Sequence, residues 1–164
     1  MVVAPQAAFE RAVMKHGIGD TTKAMGIYYF VADSFPNSEY SVEARYRIAR
    51  YLKNKDLNDS ARKEYLILAD TKGNPEIASE SRYRVGELYL RDNKPDSALI
   101  HFEIVKEKLS GMEDWFSLSL LSLGEIYEGK SMKDKALEIY NAILSLRPDD
   151  DFGKTAKQRL KRMN

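Results

Sequence analysis

The stretch LSLGEIYEGKSMKDKALEIYNAILSLRP, residues 121–148, contains the pattern that decides the fold. In its second half, Ala136 is followed four residues later by Tyr140 and three residues after that by Ile143. Side chains at i, i+4 and i+7 lie on one face of an α-helix. In its first half, Gly124 is flanked by apolar residues that also have helical spacing. The stretch therefore predicts two amphipathic helices joined by a short turn.

The same pattern occurs three more times before this stretch. The small residue that opens the second helix recurs at intervals of 37, 37 and 38, as Ala24, Ala61, Ala98 and Ala136. The aromatic residue four positions later is Tyr28, Tyr65, Phe102 or Tyr140. Twelve residues before each alanine stands another small residue, Ala12, Ala49, Gly86 or Gly124, which lets two helices approach closely. Because a lone helix pair cannot cover its own apolar face, the repetition predicts helix pairs that stack on one another.

The period predicts an all-α fold of about four helix pairs and a C-terminal capping helix. We place the repeats at about 5–37, 38–74, 75–111 and 112–149, and the capping helix at 150–164, within one domain of residues 1–164. Three local signals mark helix starts: Asn74-Pro75-Glu76, Asn93-Lys94-Pro95, and Ser131 with Asp134, which resembles an N-terminal capping box. The acidic run at 149–151 predicts the start of the capping helix.

Composition excludes several classes of function. The 26 basic and 25 acidic residues nearly cancel, so the chain lacks the basic excess of a dedicated nucleic-acid binder. The absence of cysteine excludes disulfides, thiolate nucleophiles and zinc–sulfur sites. No run of about 18 apolar residues is present and the start MVVAPQ lacks the features of a signal peptide, so we expect a soluble chain without membrane insertion. A targeting segment upstream of this sequence stays open.

Candidate catalytic residues are sparse. The two histidines, His16 and His101, have no metal-ligand partner at i+4, and we expect both on the solvated surface. No HExxH, Gly-rich phosphate loop or GxSxG motif occurs. Glu125 and Glu128 are expected on a surface helix face and not in an acid–base pair. We therefore predict no enzyme activity, no cofactor and no metal.

These residues resemble the tetratricopeptide repeat family. Residues 121–127, followed by Ala136, Tyr140 and Pro148, resemble its pattern of leucine-glycine-x-x-tyrosine, then alanine, an aromatic residue and a closing proline. Residues 35–49 resemble the bacterial cell-envelope branch, which includes outer-membrane assembly lipoproteins and periplasmic Tol–Pal-associated proteins. The resemblance implies a right-handed α-solenoid whose first helices line a concave groove, and a location in the periplasm or cell envelope.

A row of first-helix residues is expected to line that groove. It contains Phe9, Tyr46, Tyr83 and Leu121, and each is followed four residues later by Val13, Arg50, Glu87 or Glu125. Arg47 and Lys53 make the second-unit wall basic, while Glu125 and Glu128 make the fourth-unit wall acidic. We predict a non-catalytic scaffold that binds a peptide or protein segment, with aromatic anchors and a charge gradient that orients it. Packing of the apolar members against neighbouring first helices stays open.

Two alternatives remain at this stage. The chain could be a structural fragment of a longer repeat array, or a unit that self-associates through its first helix. That helix, around residues 7–15, carries Ala8, Phe9, Ala12 and Val13 with few polar residues. The sequence does not name the partner, the oligomeric state or the compartment.

Overall fold

The computed structural model describes residues 4–108, 111 and 113–163. Within these residues the chain forms nine α-helices and no strand. They are α1 (Pro5–Gly17), α2 (Thr21–Ser34), α3 (Glu39–Asn54), α4 (Asn58–Ala69), α5 (Pro75–Arg91), α6 (Pro95–Lys108), α7 (Glu113–Gly129), α8 (Lys133–Leu146) and α9 (Asp151–Met163). Helices α1 to α8 form four consecutive pairs, each inside one predicted repeat. The all-α helical repeat fold is confirmed.

The chain divides into two compact units, Met1–Ala78 and Ser79–Asn164. In the first unit α1 packs on α2, α2 on α3, and α3 on α4. In the second unit α6 packs on α7, α7 on α8, and α8 on α9. Within each unit, the second helix of a pair thus packs on the helix that follows it. That helix is the first helix of the next pair or, after α8, the terminal helix α9. The single domain of residues 1–164 stays a prediction.

Two glycines of the second unit allow the close helix approach that the repeat predicts. A Cβ added to Gly86 would lie 2.5 Å from the ring of Phe102, and one added to Gly124 would lie 2.5 Å from the ring of Tyr140. Carbon atoms pack optimally at about 3.5–4.0 Å, so a larger side chain does not fit at either position. The prediction that small residues at these two positions let the paired helices approach closely is therefore confirmed.

The turn inside each helix pair has one shared geometry. Its left-handed residue is Gly19, Asp56, Asn93 or Ser131, with φ of 83°, 56°, 55° and 58°. The following residue donates its backbone N–H to a carbonyl five positions earlier, as Asp20 to Lys15, Leu57 to Leu52, Lys94 to Tyr89, and Met132 to Tyr127. This is the hydrogen bond of a Schellman motif, which satisfies a free carbonyl at a helix end. The predicted capping box of Ser131 and Asp134 is therefore wrong: Ser131 belongs to the turn, and the N-cap of α8 is Met132, which makes no side-chain capping bond.

Three other predicted helix starts are confirmed, and the simplest case is α6, which begins at Pro95. Asn74 Oδ1 accepts a hydrogen bond from the backbone N–H of Ile77 at 3.0 Å, at the start of α5. Asp150 Oδ1 accepts from the N–H groups of Phe152 at 2.9 Å and Gly153 at 3.2 Å, at the start of α9. A Cβ on Gly153 would lie 1.9 Å from a backbone carbonyl oxygen at the end of α8. The capping helix therefore begins in tight contact with the last helix pair.

Candidate functional site

A stripe of polar and aromatic side chains runs along α3 in the first unit. Its members have the spacing i, i+4, i+7, i+11 and i+14, and they are Glu39, Glu43, Tyr46, Arg50 and Lys53. Arg50 is exposed, and its Cζ lies 5.6 Å from the centre of the half-buried Tyr46 ring. Lys53 is half-buried, one turn further along. Tyr46 and Arg50 thus form one aromatic and basic surface.

Phe9, on α1, packs against α3 through Tyr40 and Arg47. Its side chain is only 9% exposed, and its ring centre lies 5.6 Å from that of Tyr28 and 5.7 Å from that of Tyr40. The guanidinium of Arg47 stacks over Phe9 at 5.4 Å and pairs with Glu43 at 3.2 Å. The first member of the predicted row is therefore mostly a packing residue, whereas Val13, one turn later, is exposed.

A cleft of about 640 Å³ opens beside Phe9 at the N-terminal end of α3. Its lining residues include Glu39 and Glu43, which are acidic, and Phe9 and Tyr40, which are aromatic. No basic side chain lines it in the part of the chain that the structure describes. Sequence reasoning missed this cleft, although one signal was present: Tyr40 precedes Ile77 by the repeat interval of 37, and both residues line it.

In the second unit, Tyr83 packs mainly against neighbouring helices. Its ring centre lies 5.6 Å from that of Phe102 and 5.7 Å from that of Trp115. Burial, and then the nearby carboxylate of Glu87, raise the pKa of Tyr83. Leu121 is half-buried against the same hydrophobic core. These two members of the predicted row therefore have a clear packing function.

Arg84 joins this aromatic cluster to an ion-pair network. Its Cζ lies 5.0 Å from the centre of the Trp115 ring and 5.6 Å from that of Tyr83. Its guanidinium pairs with Glu80 at 3.1 Å and with Glu87 at 3.2 Å. The charge of Glu87 is thus compensated inside the second unit. Sequence reasoning did not single out Arg84 and Trp115 as a pair, because the two residues lie on different helices.

The acidic pair of α7 is also compensated within the second unit. Arg159, on α9, forms ion pairs with Glu125 and, at 3.3 Å, with Glu128. Glu125 remains exposed, but its carboxylate already has a cationic partner. The expected charge gradient therefore does not end in an uncompensated acidic wall.

The prediction of a solvated His101 is wrong. The ring is half-buried and stacks on Tyr89, with centres 5.5 Å apart and planes 15° from parallel. Its Nδ1 is buried and has no hydrogen-bond partner among the described residues. Burial, and then the charge of Arg82, lower the pKa of His101 to about 4. His16 is exposed, as expected.

Residues 4–108, 111 and 113–163 contain no cluster of three or more histidine, aspartate and glutamate side chains that could hold a metal ion. None of their helices combines the length and the apolar character that crossing a bilayer requires.

Comparison with known proteins identifies the repeat. The sequence model of the tetratricopeptide repeat family matches residues 118–150. No curated protein matches the chain. A crystal structure of nearly identical TPR-like repeats, from a candidate kinesin light chain of Podosopora anserina, is similar with a TM-score of 0.64 and 13% identity, over 99% of this chain and 87% of that one. A variant of the same protein gives a TM-score of 0.63 and 16% identity over the same shares of the two chains. The chain therefore has an all-α helical repeat fold similar to that of the tetratricopeptide-like repeats, and its residues 118–150 match the model of that family.

Proposed function

We propose that the chain is a non-catalytic protein–protein interaction scaffold that binds a peptide or protein segment along its first helices. Tetratricopeptide repeats generally mediate contacts between proteins. The observation that carries the proposal is the pair of Tyr46 and Arg50 on the exposed side of α3. Tyrosine and arginine are among the residues that contribute most to binding energy at protein interfaces.

In this proposal the predicted row has two kinds of member. Val13 and Arg50 contact the partner because they are exposed, and Tyr46 belongs to the same surface because Arg50 lies over its ring. Lys53 extends this stripe of α3 by one turn. The remaining members hold the wall in place by packing or by ion pairs, and they are Phe9, Arg47, Tyr83, Glu87, Leu121 and Glu125. The right-handed solenoid and its concave groove are parts of the same proposal.

The proposal includes no catalytic step, because repeats of this family typically serve as non-enzymatic scaffolds. A location in the bacterial cell envelope is a separate prediction that depends on the resemblance of residues 35–49. The matched repeat and the similar structures from Podosopora anserina do not support that branch.

The test uses peptides selected from a random phage-displayed library against the immobilised chain. Dissociation constants are then measured by calorimetry for the wild type, Tyr46→Ala, Arg50→Ala and the control Tyr29→Ala, whose exposed tyrosine lies on α2. We expect Tyr46→Ala to weaken binding about tenfold, Arg50→Ala several-fold, and Tyr29→Ala not at all. Equal affinities for all four proteins would contradict the proposal. Tyr83→Ala is not suitable, because it would leave a cavity beside Phe102 and Trp115.

One observation favours a second function, self-association or attachment to further repeats through the first helix pair. An apolar groove of about 490 Å³ lies between α1 and α2, and Phe30 stands at its edge, 46% exposed. Its other lining residues include Ala7, Ala8, Ile27 and the charged residue Arg11. In the fourth pair the corresponding residues are buried, and they are Ser119, Leu120 and Ile139. A helix from a second copy, or from an adjoining repeat, would cover the open groove in the same way.

Light scattering distinguishes this function from partner binding. If copies associate through the groove, the mass of the wild type rises with concentration and Phe30→Glu abolishes the rise. Ile67→Glu is the matched control, because Ile67 occupies the corresponding exposed position on α4. A monomeric wild type at every concentration would exclude self-association. Phe9→Glu is a poorer test, because Phe9 is buried and its substitution would unfold the first unit.

A further inference from the structure

We infer that the first unit recognises an extended segment whose basic and acidic residues are about five positions apart. This inference rests on the proposed function and specifies the charge pattern of the partner. It requires only α3 and the cleft beside it, both of which lie within the first unit.

Charge is segregated along the stripe of α3. The carboxylates of Glu39 and Glu43 come first, the basic groups of Arg50 and Lys53 follow, and Arg47 lies beside the stripe between them. A helix rises about 1.5 Å per residue, so about 16 Å separate Glu39 from Arg50. An extended chain covers that distance in about five residues, at about 3.3 Å each.

The helix dipole does not account for this order. Acidic residues at the start of a helix and basic residues at its end are favourable, but the effect fades within the first and last turns. Glu43 and Arg47 lie in the middle of α3, which runs from Glu39 to Asn54. On α5, by contrast, Arg84 lies between Glu80 and Glu87 and pairs with both.

The acidic end can receive a cationic side chain. Arg47 already shows the chemistry, since its guanidinium stacks over Phe9 at 5.4 Å and pairs with Glu43 at 3.2 Å. The acidic Glu39 and the aromatic Tyr40 both line the cleft of about 640 Å³. A lysine or arginine of the partner, inserted there, gains an ion pair and a cation–π contact.

The basic end can receive a carboxylate. Arg50 is exposed and stacks over Tyr46 at 5.6 Å, so its N–H groups can donate to an acid while the ring packs against the rest of the segment. The corresponding residues of the second unit, Glu87 and Glu125, are paired with arginines of the same unit. The partner's charges are therefore recognised by the first unit.

The test uses four pools of fluorescein-labelled octapeptides and the full chain, measured by fluorescence anisotropy. The pools carry arginine and aspartate five positions apart, two arginines at those positions, two aspartates at those positions, or arginine and aspartate side by side. All other positions are mixtures of apolar and aromatic residues. We expect the first pool to bind about threefold to tenfold more tightly than each of the others, because each exposed ion pair adds little on its own.

A charge swap makes the result specific. With Arg50→Glu, the preference should move to the pool with two arginines, by a similar factor. With Glu39→Arg, it should move to the pool with two aspartates. Both positions are exposed, so both variants should remain folded. Lys63→Glu is the control for Arg50→Glu, because it makes the same charge change at an exposed position on α4 and should leave the order of the pools unchanged.

The possible failures have different meanings. Binding of all four pools with equal affinity, or no shift of preference in the swapped variants, would overturn the inference and leave the proposed function standing. Failure of the wild type to bind any pool, together with no selected peptide from the random library, would overturn the proposed function itself.

Discussion

Gly124 offers a direct test of helix packing at the scale of a single residue. In Gly124→Ala the new Cβ would lie 2.5 Å from the ring of Tyr140, which is fully buried and cannot move into solvent. We expect this variant to lose about 1–3 kcal/mol of unfolding free energy, as overpacked cores do. Urea denaturation followed by circular dichroism measures it.

Gly26→Ala is the matched control for that variant. Gly26 lies inside α2, and no heavy atom would lie within 4 Å of its added Cβ. Alanine has the higher helix propensity, so this change should stabilise the chain by about 0.5–1 kcal/mol. If the two substitutions changed stability in the same direction, the close contact of Gly124 with Tyr140 would be refuted.

His101 predicts a pH dependence of stability. Its pKa is lowered from 6.5 to about 4 in the folded chain, so between these values the unfolded chain binds more protons. Folding stability should therefore fall as the pH falls through this window, and the loss should be on the order of 1 kcal/mol because solvent screens a half-buried ring. Unfolding free energies at about pH 7 and pH 5 measure the loss.

His101→Phe should remove this part of the pH dependence, because phenylalanine keeps the stack on Tyr89 but does not titrate. His16→Gln is the control, since it removes the other histidine from an exposed position. A His101→Phe variant that lost as much stability as the wild type on acidification would show that other groups cause the loss.

At the scale of the elements, sequence predicted the helices better than the turns. Helix positions could be predicted because the apolar side chains repeat at helical spacing. The shared turn could not be predicted from residue identity, because its left-handed position holds glycine, aspartate, asparagine and serine in the four pairs. What the four residues share is a backbone conformation, and for the same reason Ser131 was mistaken for a helix cap.

Ser131→Gly should stabilise the turn between α7 and α8. Serine at φ 58° is strained, whereas glycine adopts this conformation freely. We expect the unfolding free energy to rise by about 0.5–1 kcal/mol. Glycine also raises the conformational entropy of the unfolded chain, and this effect offsets part of the gain. Thermal denaturation measures the change in stability. The control is Ser145→Gly, which lies within α8 and should lower the unfolding free energy by a similar amount, because glycine has a low helix propensity. A loss of stability in Ser131→Gly would contradict the left-handed assignment.

At the scale of the whole molecule, the candidate site was only partly predictable. Repeat spacing correctly placed Tyr46 and Arg50 on one face of α3, because that relation is local. It could not show that Arg159 pairs with Glu125, since the two residues are 34 positions apart and on different helices. Nor could it show that Trp115 packs on Tyr83. Contacts between distant elements decide which members of a regular row are available to a partner.

The balance of charge over the whole chain predicts weak binding to polyanions. The net charge is +1, and the ion pairs of Arg45, Arg47, Arg84 and Arg159 compensate basic groups locally. Binding to nucleic acid or heparin draws its affinity from the release of counterions, which requires several uncompensated basic groups. We expect the wild type to leave a heparin column below about 0.2 M salt and to leave duplex DNA unshifted at about 0.15 M salt.

A matched variant shows whether ion pairs within the chain are the reason for the weak binding to polyanions. Glu125→Gln together with Glu128→Gln releases Arg159 from its two carboxylate partners and adds two units of positive charge near the basic helix α9. This variant should leave the heparin column at higher salt than the wild type, because a larger basic cluster releases more counterions. If the wild type itself stayed bound at about 0.4 M salt, local basic groups would suffice for polyanion binding. The exclusion of nucleic acid as a partner would then be wrong.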